Sequence, residues 1–171
     1  QGNSYLLHRS LPLTVVDHRS DPDGRFLVMW GLLEGKAYNL VSVYAPPQLK
    51  KKTLTDLSGI LLGLPQGTTI IGGDFNAILH RSLDYSAGVA RRGLRGEGYL
   101  HKWLDSLGFC DVWRTWNPTQ AQFTHTSAAH HTHSRLDYFF MSSTDMHYTS
   151  GADILSRGIS DHSPVVMKIR G

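Results

Sequence analysis

The sequence predicts an α/β or α+β fold, in which strands and helices are mixed along one chain. Three stretches rich in β-branched, aromatic and leucine residues, at 11–16, 25–33 and 37–44, are separated by the turn sequences Asp-Pro-Asp-Gly and Glu-Gly-Lys. This pattern is typical of an antiparallel meander of three strands. After two consecutive prolines, apolar residues recur at helical spacing between positions 54 and 64, which predicts a helix.

The second half of the chain continues this alternation. An apolar run at 68–72 predicts a short buried strand, and apolar residues spaced between 100 and 107 predict a second helix that ends at Gly108. Two further strands are expected at 135–141 and 164–169. Because helices alternate with mixed strands, at least one sheet should be covered by helices.

Composition limits the size and class of the molecule. The chain has 171 residues, the length of one domain, which we take as residues 1–171. It is 40% hydrophobic and 18% charged, and it has no apolar run long enough for a spanning helix, so we expect no membrane segment. A single cysteine excludes an internal disulfide and favours a reducing compartment, the nucleus or the cytoplasm. The net charge of +3 permits an anionic partner without requiring one.

Polar side chains stand at or beside the ends of three expected strands. Asp74 and Asn76 follow one strand, Asp137 interrupts another, and Asp161 and His162 precede the last. Strands hold side chains rigidly while their ends stay open to water, so we expect these groups to form one site. Carboxylates combined with an amide and an imidazole suit Mg²⁺ or Mn²⁺. Phosphate chemistry is one consequence of such a set.

Four short segments resemble the successive motifs of the endonuclease/exonuclease/phosphatase superfamily, in the same order and at similar spacing. They are Val43-Tyr44-Ala45-Pro46, Gly73-Asp74-Phe75-Asn76, Ser134-Arg135-Leu136-Asp137-Tyr138 and Ser160-Asp161-His162-Ser163-Pro164. Gly108-Phe109-Cys110-Asp111 resembles a further motif that lies between them. Within the superfamily, the Phe-Thr-His run and the following Ser-Arg-Leu-Asp-Tyr-Phe stretch look most like endonuclease domains of long interspersed, non-LTR retrotransposons, which are similar to apurinic endonucleases and exonuclease III.

This resemblance implies a fold and an activity. The fold would be a four-layered α/β sandwich, with two mixed β-sheets flanked by helices. The activity would be divalent-metal-dependent hydrolysis of phosphodiesters in DNA, by endonuclease nicking or by exonuclease III-like trimming. Mg²⁺ would be the cofactor, with Mn²⁺ as a substitute, DNA the partner, and a monomer the acting form.

The resemblance also implies roles for five catalytic residues. Asp74 would orient or deprotonate the attacking water, and Asn76 would hydrogen-bond the phosphoryl oxygens. Tyr44 would support the site through its hydroxyl. Asp137 would hold His162, and His162 would contact the scissile phosphate. These residue types suit a multiply charged transition state, which needs fixed donors and a carboxylate to manage the proton of water.

Metal ligands and DNA contacts are implied in the same way. The expected metal ligands are Asp161, Asp74, Asn76 and His162. Arg91, Arg92 and Arg95, beside several glycines, either contact phosphates or form a solvated charge run. Arg135 either touches the DNA backbone or pairs with a carboxylate.

Four histidines between positions 125 and 133 resemble a zinc cluster in composition. They are His125, His130, His131 and His133. Because no cysteine accompanies them and the region is polar, we interpret them as part of a solvated loop.

The chain departs from the family pattern at its N-terminal side. A strand with a metal-associated Asn and a strand with a Gln-Glu pair, whose Glu is a principal metal ligand, would precede the meander, and only residues 1–10 precede it here. Neither Asn3 nor Glu34 stands in the right context to replace them. We therefore expect a first sheet that is incomplete at its N-terminal side and an impaired metal site.

Two alternatives to an active nuclease stay open. One is a catalytically inactive, retrotransposon-derived remnant that at most binds nucleic acid. The other, which the retrotransposon-like segments disfavour, is a phosphatase for small phosphoesters.

Overall fold

A large mixed β-sheet forms the centre of the protein. The computed structural model describes residues 3–86 and 97–170. The strands of this sheet are β1 (Leu13–Ser20), β2 (Phe26–Leu33), β3 (Lys36–Tyr44), β4 (Thr68–Asp74), β5 (Phe109–Asp111) and β8 (Asp137–Ser142). They lie in the order β1-β2-β3-β4-β8-β5. The predicted antiparallel meander is confirmed as β1 to β3.

Four shorter strands form two antiparallel pairs outside the large sheet. β6 (His125–Ser127) pairs with β7 (Thr132–Ser134), and β9 (Thr149–Ile154) pairs with β10 (Val165–Ile169). Two mixed sheets were expected, and the large sheet is the one mixed sheet within residues 3–86 and 97–170. The second sheet, β9-β10, is antiparallel there. The expected gap at the N-terminal side of the first sheet stays a prediction.

Helices connect the strands. They are α1 (Lys50–Leu61), α2 (Arg81–Asp84), α3 (Glu97–Leu107), α4 (Val112–Trp116) and a 3-10 helix at Ser143–Tyr148. Within the described residues, none of them combines the length and the apolar character that crossing a membrane requires.

The core has one half on each face of the large sheet. On one face, α1 and α3 bury Leu57 and Trp103 against sheet residues such as Phe140. On the other face, α4 and β9 bury Trp113 and Ala152. Other elements cover both faces of the large sheet, so the α/β sandwich predicted from the sequence is confirmed.

Two predicted strand limits shift for identifiable reasons. β1 begins at Leu13 rather than at residue 11 and continues to Ser20, and its polar second half is tolerated because the strand lies exposed at the sheet edge. β8 begins at Asp137, which pairs with the last residue of β4, rather than at residue 135, whose amide donates to the Asp84 carbonyl instead.

The end of β4 lies very close to β3. Gly73 has a φ of +145°, and a Cβ atom added there would lie 1.9 Å from the carbonyl oxygen of Val43. Any other residue would push the two central strands apart at the point where they deliver Tyr44 and Asp74.

We expect the Gly73→Ala substitution to lower the free energy of unfolding by more than about 2 kcal/mol, because it adds both a backbone strain and an overlap with β3. Urea denaturation followed by circular dichroism measures this change. The matched control is Gly59→Ala in α1, where no atom lies within 4 Å of the added Cβ. Since alanine favours helices over glycine, the control should be neutral or stabilising. Equal stability of the two variants would contradict the close-approach argument.

Candidate active site

Three neighbouring strands bring Tyr44, Asp74 and Asp137 side by side. In the parallel pair β3-β4, Tyr44 lies opposite Asp74, and in the antiparallel pair β4-β8, Asp74 lies opposite Asp137. Residues directly opposite each other point to the same face of a sheet. The three side chains therefore lie together on one face of the large sheet, along the edge formed by the ends of these central strands.

A turn after β4 fixes the Asp74 carboxylate. The Asn76 backbone N–H donates to Asp74 Oδ1 at 2.8 Å, and Asn76 itself has a φ of +47°, a conformation that asparagine tolerates. The Asn76 side-chain amide donates to the Ala45 carbonyl at 2.9 Å and to Asp74 Oδ2 at 3.3 Å. In the structure this amide therefore ties the ends of β3 and β4 together and orients Asp74.

Burial raises the pKa of the Asp74 carboxyl to about 6. The hydrogen bond from the Asn76 backbone opposes this rise, while the charges of Asp137 and Asp161 add to it. A carboxylate of this kind is still mostly ionised at neutral pH and is a better proton acceptor than an exposed aspartate.

His162 reaches the same edge from the loop before β10. Its Nδ1 lies 2.8 Å from Asp137 Oδ2, and this hydrogen bond raises the pKa of the imidazole despite partial burial. The loop is fastened to β6 and the residue before it: Ser163 N–H donates to the Thr124 carbonyl at 2.7 Å, and Thr126 N–H donates to the Asp161 carbonyl at 3.1 Å.

Thr124 also holds Asp137 in place. Its hydroxyl oxygen accepts hydrogen bonds from the backbone N–H groups of Leu136 and Asp137, at 2.9 and 3.1 Å. Thr124 is buried, and together with its carbonyl contact to Ser163 it links both members of the Asp137–His162 pair. Thr124 was not among the site residues predicted from the sequence, although it is the threonine of the Phe-Thr-His run noted there.

The structure divides the expected metal ligands into two groups that share His162. Asp74, Asp137 and His162 each offer a ligand atom, and these atoms lie within 4.8 Å of one another. Asp161 belongs to the other group, with His125 and His162, over the same span. Its side chain is 69% exposed.

Lys50 is a second residue that the sequence analysis missed. It is the first residue of α1, and its Nζ donates to the Asn76 carbonyl at 2.6 Å. Burial lowers the pKa of this ammonium group, and the nearby Asp74 charge opposes that effect. The run of three lysines that begins four residues after Pro46 was the available signal for it.

Arg135, a candidate nucleic-acid-binding residue, is buried in this fold and pairs with carboxylates instead of lying at the surface. Its side chain is completely buried, and its guanidinium makes two hydrogen bonds of 2.9 Å to Asp84 and one of 2.6 Å to Asp111. The rings of Trp113 and Tyr138 lie 5.0 and 4.6 Å from its central carbon. Of the two alternatives, carboxylate pairing is the one realised, because two buried carboxylates demand a buried cation.

The other arginines expected to bind DNA, Arg91, Arg92 and Arg95, lie outside the described residues. Of the four histidines interpreted as a solvated loop, His130, His131 and His133 are exposed, whereas His125 is partly buried and packs against His162, with ring centres 4.8 Å apart. The interpretation is wrong for His125, because the β6-β7 hairpin turns this residue toward the site.

Comparison with known protein families agrees with the fold and with the acidic and imidazole groups at one edge of the sheet. The chain belongs to the endonuclease/exonuclease/phosphatase family, whose model matches residues 4–162. The resemblance stated from the four motifs is thereby confirmed.

A transposon protein is among the relatives. The chain is 30% identical over 152 residues to the transposon TX1 uncharacterized 149 kDa protein of Xenopus laevis. The match covers 85% of this chain but 11% of that protein, so the chain corresponds to a small part of it.

Solved structures of DNA-processing enzymes share the fold. The AP endonuclease LMAP from Leishmania major superposes with a TM-score of 0.69 at 18% identity, covering 88% of this chain and 56% of that one. A 3′ phosphatase from Neisseria, bound to a product DNA hairpin, gives 0.71 at 19% identity, covering 93% and 72%. An AP endonuclease from Archaeoglobus fulgidus gives 0.68 at 14% identity, covering 92% and 72%.

We expect His162 in the metal-free protein to titrate above its ordinary pKa of 6.5, and Asp137→Asn to lower that pKa. The hydrogen bond to the Asp137 carboxylate favours the protonated imidazole, so its stabilising effect is full below the ordinary pKa and is lost as pH rises through the raised value. NMR titration of the ring protons measures both proteins. An unchanged His162 pKa in Asp137→Asn would show that this pair does not set its protonation.

Proposed function

We propose that this chain is a divalent-metal-dependent phosphodiesterase that cuts DNA. The observation that carries the proposal is the convergence of Asp74, Asp137 and His162, with ligand atoms within 4.8 Å of one another, at one sheet edge in a member of this family. DNA-processing enzymes among the structural neighbours support nucleic acid as the substrate.

The donor set suits a hard divalent cation. The charges of Asp137 and Asp161 both raise the pKa of Asp74, so these three carboxylates concentrate negative charge that a cation would neutralise. Asp161 would hold the ion, with Asp74, Asn76 and His162 beside it. When bound, Mg²⁺ or Mn²⁺ would supply positive charge near the phosphoryl oxygens.

Asp74 manages the proton of the attacking water in this proposal. With a pKa of about 6, the carboxylate is still mostly ionised at neutral pH, and it is a stronger base than an exposed aspartate. Asn76 and Tyr44 act on its position: Asn76 through its hydrogen bonds to both carboxylate oxygens, and Tyr44 as its direct neighbour on β3.

His162 acts on the phosphate. Asp137 engages Nδ1, which leaves Nε2 as the nitrogen directed away from the pair. A protonated His162 would donate from Nε2 to a phosphoryl oxygen and place positive charge where negative charge develops.

A basic cleft beside the site supports DNA as the substrate. This cleft, of about 750 Å³, is lined by Pro47, Gln48, Lys50, Lys51, Lys52, Gly98, Tyr99 and Lys102. Lys50 links it to the site through its contact with Asn76. Several lysines around one aromatic ring suit a phosphate backbone with an unstacked or terminal base.

We expect Asp74→Asn and His162→Ala each to slow nicking of supercoiled plasmid in Mg²⁺ by about 10²- to 10⁴-fold, the usual contribution of a positioned proton-transfer group. Gel electrophoresis over time measures the rates, and chelation of the metal should stop the reaction. The matched control is Asp153→Asn, which removes a carboxylate paired with Lys168 in the β9-β10 sheet.

The same assay separates the proposal from its alternatives. Undiminished nicking by Asp74→Asn would overturn the mechanism. Binding of DNA without nicking by the parent chain would identify an inactive remnant. Release of phosphate from small phosphoesters at a rate above that of nicking would favour the phosphatase.

We expect the double variant Lys51→Ala, Lys102→Ala to bind duplex DNA more weakly and to reduce the slope of log affinity against log salt by about 2, because each lost phosphate contact removes about 0.9 from that slope. Fluorescence anisotropy at several salt concentrations measures the slope. Lys36→Ala is the control, since Lys36 begins β3 and lies roughly 26 Å along the strand from Tyr44. Equal slopes in the parent and the double variant would show that DNA does not use this cleft.

A further inference from the structure

His125 and His162 form an imidazole pair next to an exposed carboxylate. Their ring centres are 4.8 Å apart, and His125 Nε2 lies 3.9 Å from Asp161 Oδ2. One ligand atom from each of His125, Asp161 and His162 lies within 4.8 Å of the other two. None of the catalytic roles proposed above uses His125.

The backbone holds this cluster in place. His125 and His162 form an antiparallel β-bridge, and hydrogen bonds of 3.1 and 2.7 Å close it on either side, from Thr126 N–H to Asp161 and from Ser163 N–H to Thr124. Because the pairing fixes both backbones, little conformational entropy would be lost when the side chains bind an ion.

The hydrogen bonds of the two rings leave one nitrogen of each available. His162 uses Nδ1 for Asp137, and His125 Nδ1 has a long contact of 3.5 Å with Ser134 Oγ. A histidine that donates one ring N–H to a carboxylate and presents the other nitrogen is the usual arrangement at protein metal sites, since the carboxylate fixes the tautomer and increases ligand basicity.

We infer that His125, Asp161 and His162 form a binding site for a transition-metal ion of the Zn²⁺ class. Two imidazoles and one carboxylate, with a fourth position open to solvent, are the donors of many zinc sites, whereas Mg²⁺ prefers oxygen ligands alone. Ligand atoms around tetrahedral Zn²⁺ lie roughly 3.4 Å apart. Reaching that spacing requires modest closure, and the exposed Asp161 side chain is free to provide it.

The site shares Asp161 and His162 with the proposed catalytic machinery. An ion bound to His162 Nε2 occupies the nitrogen that would face the phosphate, so Zn²⁺ at this site inhibits cleavage. This inhibitory consequence rests on the proposed function, whereas the binding of the ion does not.

Isothermal calorimetry with ZnCl₂ on the metal-free chain tests the site. We expect one tight ion per chain, with at least a tenfold loss of affinity in His125→Ala. The matched control is His130→Ala, which removes an exposed histidine of the β6-β7 turn and should keep the tight site. Equal affinities in the two variants would overturn the inference, and circular dichroism of both establishes that they are folded.

A measurement on the unmutated chain keeps the inference testable if His125→Ala does not fold. Sub-stoichiometric Zn²⁺ should shift the NMR ring resonances of His125 and His162 before those of His130 and His131. Simultaneous shifts of all four would overturn the site.

Plasmid nicking in Mg²⁺, with and without Zn²⁺, tests the inhibitory consequence. The nicking rate with Zn²⁺ divided by the rate without it should fall well below one for the parent and for His130→Ala. The same ratio should stay near one for His125→Ala. An equal fall in all three would refute inhibition through this site. Absence of nicking in Mg²⁺ alone would count against the proposed function, and calorimetry would still decide the zinc site.

Discussion

The buried ion pair between Arg135 and Asp84 is the interaction on which the arrangement of the site depends. It lies completely out of solvent and extends to Asp111, so that one guanidinium joins α2, the end of β5 and the residues just before β8. Removing one partner of a buried pair leaves an uncompensated charge, at a cost of about 3–5 kcal/mol. Asp137 follows two residues later and inherits its position from this cluster. The sheet edge that carries the candidate site is therefore positioned by charges that are buried beneath it.

Sequence reasoning works well here for local patterns. The strand that ends in Asp74, the helix that buries Leu57 and the meander that ends in Tyr44 all follow from periodicity and turn residues, and the family follows from four motifs. The failures have a common cause, because Arg135, Lys50 and His125 are defined by contacts with residues distant in the chain. A motif gives the identity of a side chain without telling which direction it faces.

The edge of the sheet also combines two kinds of donor. Asp74 and Asp137 are carboxylates on neighbouring strands, whereas His125 enters from a separate hairpin, and His162 belongs to both groups. Hard oxygen donors and borderline nitrogen donors favour different ions. Which ion a cell supplies would accordingly decide how the shared imidazole is used, and His125 is the residue that introduces this choice.

The donors that converge at this edge come from strands and loops widely separated along the chain, from Asp74 to His162. An unfolded chain has no such constellation, so an ion that bound here would favour the native state over the unfolded chain. By mass action, a ligand at a hundred times its dissociation constant then adds about 2.7 kcal/mol to the free energy of unfolding. A metal ion that bound at this edge would thus make the thermal midpoint of the domain depend on the metal concentration as well as on the polypeptide.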